Sequence, residues 1–93
     1  MARVEIIYCR RCRFVLRATW LAQELLFSLA EQLSEVALVP GENGIFRVTM
    51  DGGTLFDRRS GGRFPEPKEI KRAVRDRVAP AMSLGHSDYR DGE

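Results

Sequence analysis

Residues 4–12 read VEIIYCRRC. The first five, rich in β-branched and aromatic side chains, have the composition of a short, largely buried β-strand. The last four set two cysteines two residues apart with two arginines between them, and the 93-residue chain has no other cysteine. From residue 13 to residue 34 there is neither Gly nor Pro, and Leu, Ala, Glu and Gln dominate. A long helix is therefore expected directly after the second cysteine. Its polar stripe is Arg17, Glu24, Ser28, Glu31 and Glu35, and its opposite face carries Phe14, Ala18, Leu21, Leu25, Leu29 and Leu33.

Working outward, residues 36–39 read as a second strand, closed by a turn over residues 40–44. Residues 45–50 and 54–58 read as a third and fourth strand, joined by Asp51-Gly52-Gly53 as a tight hairpin. A loop over residues 60–65 leads to a second helix that starts at Pro67, has Ile70, Ala73, Val74 and Val78 on its apolar face, and stops at Pro80. The order is β-α-β-β-β-α, which makes an α/β domain with a mixed four-stranded sheet and two helices. Residues 1–80 form the domain and residues 81–93 a tail.

A chain of this length holds one small domain, and 44% hydrophobic residues supply a core. The apolar run near the N-terminus is too short for a signal peptide, and nothing approaches the ~20 apolar residues of a membrane span. A cytoplasmic protein is expected, with no membrane partner, and in that compartment structural disulfides are rare. The net charge of +2 is too small to argue for nucleic acid. The charge is unevenly placed, however: Arg10, Arg11, Arg13 and Arg17 surround the cysteines, and residues 6–23 hold no acid.

The cysteine pair admits three readings: half of a metal site, an inert pair, or a redox couple. A structural zinc site wants four ligands, and this chain offers two cysteines and one distant histidine, His86. Metal is therefore disfavoured. A C-x-x-C between the first strand and first helix of a β-α-β unit favours the redox reading. The helix N-terminus and the arginines Arg10, Arg11 and Arg13 stabilise a thiolate, the species that attacks disulfides and peroxides. Thiolate stabilisation makes the disulfide more oxidising than thioredoxin's ~−270 mV. The alternative from another class is a non-enzymatic interaction module whose cysteine pair senses redox state. His86, in a polar tail, reads as a surface or capping residue before a proton-transfer group. Asp51 and Asp57 read as solvated strand-end acids.

Leu16, Trp20 and Phe27 form a second apolar stripe on the first helix, roughly 150° from the middle of the core face at 3.6 residues per turn. Either other parts of the chain cover it, or it is a surface for a partner or a second copy.

The segments VEIIYCRRC, PGENGIFRVTMDG, LFDRRSGGRFPE and LGHSD together resemble the selenoprotein W-like (Rdx) family in its bacterial, cysteine-containing form, over roughly residues 3–88. The resemblance implies a thioredoxin-like fold and a thiol-based redox role, with glutathione as a co-substrate or a small set of redox protein partners, and no bound cofactor. The second position of the motif is selenocysteine in selenoprotein W. That correspondence makes Cys12 the attacking thiol and Cys9 the resolving one, the reverse of thioredoxin. Thioredoxins also carry a cis-proline before the third strand, where this chain has Gly44.

Overall fold

The structure, a computed structural model, describes residues 2–85. Strand β1 (Ala2–Cys9) alternates buried and half-buried positions from Ala2 to Ile7, as a strand with one face on a core must. Helix α1 (Val15–Leu29) follows, then the strands β2 (Leu33–Gly41), β3 (Phe46–Met50) and β4 (Gly53–Asp57). A single helical turn, α2 (Arg58–Gly61), precedes the last helix, α3 (Pro67–Val78). The sheet order is β2-β1-β3-β4. β1 runs parallel to β2 and antiparallel to β3, and β4 is antiparallel to β3. The architecture is α/β and thioredoxin-like, with the mixed four-stranded sheet expected from the sequence.

Both long helices feed one core. Ala2, Val4 and Ile6 of β1 and Phe46, Val48 and Met50 of β3 meet Ala18, Leu21, Leu25 and Leu29 of α1 and Ile70 and Val74 of α3. Each fully buried Leu, Ile or Val in such a cluster is worth ~1.5–3 kcal/mol over leaving it in water. The other sheet face carries ion pairs: Arg3 pairs with Glu5 and Glu35, and Arg47 with Asp57 at 3.1 Å. An ion pair from Lys71 to Glu24, 2.8 Å, ties α3 to α1.

Three differences from the sequence reading have a clear physical reason. The first helix ends at Leu29, five residues early. The Ala2 N–H donates to the Gln32 carbonyl at 3.0 Å, and Leu33 pairs with Ala2 as the buried first residue of β2. Strand pairing thus overrides good helix formers. β2 also runs through Pro40 to Gly41. As an edge strand it has no partner on one side, so a residue without an N–H is tolerated. The third difference is α2, a helix absent from the sequence reading. Its start is fixed by Asp57, which accepts the Arg59 N–H at 3.0 Å, and its end by Gly62 in the left-handed conformation.

The two acids read as solvated are in fact bonded. Asp51 accepts the Arg3 N–H at 3.0 Å and donates its own N–H to the Arg3 carbonyl at 2.9 Å. Asp57 accepts from Arg47 as well as Arg59. The Arg59 N–H, then Arg47, holds its carboxyl below the usual carboxylate range. Beyond residue 80, Met82 and Leu84 pack on the core, and Arg75 holds the Met82 carbonyl at 2.9 Å. His86 lies outside the described residues.

Candidate functional site

Cys9 and Cys12 are joined in a disulfide, with their Cα atoms 5.4 Å apart. The two positions differ in access. Cys9 is the last residue of β1 and is 2% exposed, whereas Cys12 lies in the connecting turn and is exposed. The backbone of the turn is pinned to the neighbouring strands on the Cys9 side. The Cys9 N–H donates to the Ile45 carbonyl at 2.8 Å, and the Arg10 N–H to the Gly41 carbonyl at 3.1 Å. On the far side Arg13 takes a left-handed conformation, φ 60°, and Phe14 sits at the helix N-cap with no side-chain cap. The C-x-x-C therefore sits in a turn ahead of α1 rather than in its first helical turn. Arg13 reverses the chain between the strand and the helix.

Gly41 is a site residue that the sequence reading assigned only to a turn. A Cβ there would lie 2.7 Å from Cγ2 of Ile45 and 3.1 Å from Cγ2 of Ile7. Only glycine lets the end of β2 lie beside Cys9, its register partner. Gly61 and Gly62, in the loop that follows β4, serve α2 and its exit.

The charge pattern is uneven among the arginines. Arg10 pairs with Glu42 at 3.2 Å, so the turn is tied to the β2–β3 connection. Arg11 and Arg13 are exposed and form no ion pair among the described residues. Arg17 and Arg58 lie over aromatic rings instead. Arg17 is 4.0 Å and Arg58 5.0 Å from the centroid of Phe64, and Arg58 is 5.4 Å from that of Phe14. The buried Nε of Arg58 has no hydrogen-bond partner among the described residues. Phe14, Phe46 and Phe64 meet edge to face at centroid distances of 4.8–6.4 Å. This cluster brings the loop before α3 to the cysteine turn, because Phe14 follows Cys12 by two residues and Phe46 pairs with Tyr8. From sequence, Phe14 was legible as core, but Phe64 and Arg58 carried no periodic signal.

The stripe of Leu16, Trp20 and Phe27 lies on the outside of α1. Phe27 is 89% exposed, Leu16 76% and Trp20 52%. Among the described residues no His, Cys, Asp and Glu side chains gather in a group able to hold a metal ion, and no helix is long and apolar enough to cross a membrane.

The Rdx family model matches residues 3–76. A crystal structure of a selenoprotein W-related protein from Vibrio cholerae superposes with a TM-score of 0.81 at 43% identity, over 83% of this chain and 96% of that one. A crystal structure of a Bordetella parapertussis protein superposes with a TM-score of 0.80 at 49% identity, over 83% of this chain and 98% of that one. No curated protein is similar enough to this chain to count as a relative.

Proposed function

The chain belongs to the Rdx family, and from that premise we propose that it is a cytoplasmic thiol-disulfide oxidoreductase in which Cys12 attacks and Cys9 resolves. The observation that carries the assignment is the difference in exposure between the two bonded residues: Cys12 is exposed and Cys9 is buried. In this reading a substrate sulfur meets the exposed Cys12, and the buried Cys9 takes part through its bond to Cys12.

In the reduced protein the Cys12 thiolate attacks one sulfur of a substrate disulfide. The substrate S–S bond breaks, a mixed disulfide forms on Cys12, and the first substrate thiolate leaves. Cys9, having lost its proton, then attacks Sγ of Cys12, closes the Cys9–Cys12 bond and expels the second thiolate. The substrate gains two electrons and the protein loses two. Two glutathione molecules reverse this. One opens the bond at Cys12 to give a glutathione mixed disulfide, and the second attacks the glutathione sulfur, releasing glutathione disulfide and the Cys12 thiolate. Glutathione carries two carboxylates. Guanidiniums without an acid partner among the described residues, on Arg11, Arg13, Arg17 and Arg58, are the chemistry that attracts them.

The test is turnover in the presence of glutathione, with each cysteine replaced in turn. Cys12→Ser should abolish turnover, and Cys9→Ser should leave a stable glutathione mixed disulfide on Cys12, visible as added mass. Turnover that survives in Cys12→Ser overturns the assignment of roles. A protein that oxidises once and never cycles with glutathione or thioredoxin is a sensor rather than an enzyme.

A further inference from the structure

We propose that the outer face of α1 is a homodimer interface in which two copies pack their first helices antiparallel. At 3.6 residues per turn, Val15, Leu26, Leu16, Phe27 and Trp20 fall within an arc of roughly 140°. All five are exposed, from 39% for Val15 to 89% for Phe27. The positions between them, Thr19 and Gln23, are uncharged, and the Thr19 hydroxyl donates to the Val15 carbonyl at 2.9 Å. A surface helix ordinarily turns its charges outward. Here the charged positions, Arg17 and Glu24, border the arc on the α3 side, where Glu24 is held by Lys71.

Two features favour a second copy as the occupant. The first is area. A Phe or Trp side chain buries ~150–250 Å², so at these exposures the five residues offer roughly 500–600 Å². Two copies face to face then bury roughly 1,000–1,200 Å², the threshold for a specific interface. The second is charge. The N-terminal end of α1 is basic, with exposed Arg11 and Arg13, and just beyond its C-terminal end lies exposed Glu31. α1 has no acid in its first turn and no base in its last, so its own residues leave the macrodipole uncompensated. Antiparallel pairing sets each basic end against the partner's acidic end, and the two dipoles against each other. Parallel pairing would bring the two arginine clusters together. In the antiparallel pair each Cys12 lies at the rim, beside the partner's end of α1, and remains open to a small thiol.

Sedimentation of the full chain, with thiols kept reduced so that no intermolecular disulfide contributes, tests this. A monomer–dimer equilibrium is expected, with Trp20 emission shifting to the blue as concentration rises. Leu16→Gln with Phe27→Gln should raise the dissociation constant ~30-fold or more, the loss typical of central anchors. Arg11→Glu and Glu31→Arg should each weaken the dimer, and the two together should restore it. Circular dichroism confirms that each variant folds, which is expected because all four side chains are exposed. A chain that is monomeric at every concentration overturns the proposal, even if vesicles or a foreign protein then protect the face. A dimer indifferent to Phe27→Gln overturns it as well. A double charge reversal no better than either single one overturns the antiparallel pairing.

Discussion

The two long helices share a core but are built differently. α3 is locally self-sufficient. Pro67 occupies its first turn, and Glu66 and Glu69 form a capping box. Arg63 grips Glu69 with two bonds of 2.6 and 3.0 Å, and Arg75 and Arg77 sit at the negative end of the dipole. α1 has no side-chain cap, no helpful charge at either end, and a bare apolar outer face. Its stability comes almost wholly from the buried stripe. The difference separates a helix that props up the fold from one whose free end and free face are left for chemistry and contact. The cysteine turn lies at that free end.

The largest effects should fall on the buried faces and should not distinguish the helices. Leu25→Ala in α1 and Ile70→Ala in α3 each remove a side chain that is at most 2% exposed. Each should cost ~2–5 kcal/mol by denaturant unfolding. A much smaller loss for one helix would show that its inner face is not equally packed. Next comes Gly41→Ala, which forces a methyl against Ile45 at 2.7 Å. Overpacking of that kind costs ~1–3 kcal/mol. Because Gly41 holds the Arg10 N–H, the same change should also alter the rate at which an alkylating reagent reaches Cys12. An unchanged stability and an unchanged rate would mean that the end of β2 does not position the turn.

How much of this was legible in the sequence follows the same division. Strand β1, the hairpin at Asp51 and Gly52, and the start of α3 at Pro67 carry strong local signals, and the structure places them as expected. Asp51 and Gly52 take φ of 50° and 87°, the left-handed pair that a two-residue hairpin needs. The end of α1 was illegible because Leu33 continues the four-residue spacing from Leu29. Only pairing with Ala2 reveals it as strand. The cysteines were legible as a pair, but their unequal burial was not, since it depends on β2 and β3 closing over Cys9. The Phe64 and Arg58 side of the site was hidden for the same reason: nothing periodic marks a residue that reaches the site from a loop.

A moderate, pH-dependent effect should mark α3 alone. Arg63, then the Glu66 N–H, holds the Glu69 carboxyl below its ordinary value. A carboxylate depressed in the folded state contributes stability that is complete above its unfolded pKa of ~4.3 and is lost as pH falls through the lower folded value. Glu69→Gln should therefore cost ~1 kcal/mol near neutrality, the size of a lost cap, and should flatten the acid limb of the stability curve. No counterpart is expected at the ends of α1. An acid limb identical in Glu69→Gln and the parent would remove the contrast between the two helix starts.

The smallest effect is expected at Phe27, and it is the most informative about α1. An 89% exposed side chain makes few contacts within its own chain, so Phe27→Gln in a dilute, monomeric sample should change stability by no more than ~0.5 kcal/mol. Trp20 differs, since half of it is covered and it lines the groove beside Lys71, Glu24 and Pro67. Trp20→Gln should cost more than Phe27→Gln at the same dilution. The order of the two is what separates a free face from a covered one. Were the whole stripe sealed by another segment of the chain, both changes would resemble core truncations of ~3–5 kcal/mol. A loss at Phe27 equal to that at Trp20, in a sample shown by sedimentation to be monomeric, would establish that some part of the chain covers the outer end of α1. A loss confined to Trp20 leaves Phe27 as surface held in the open, where its only available burial is against another molecule.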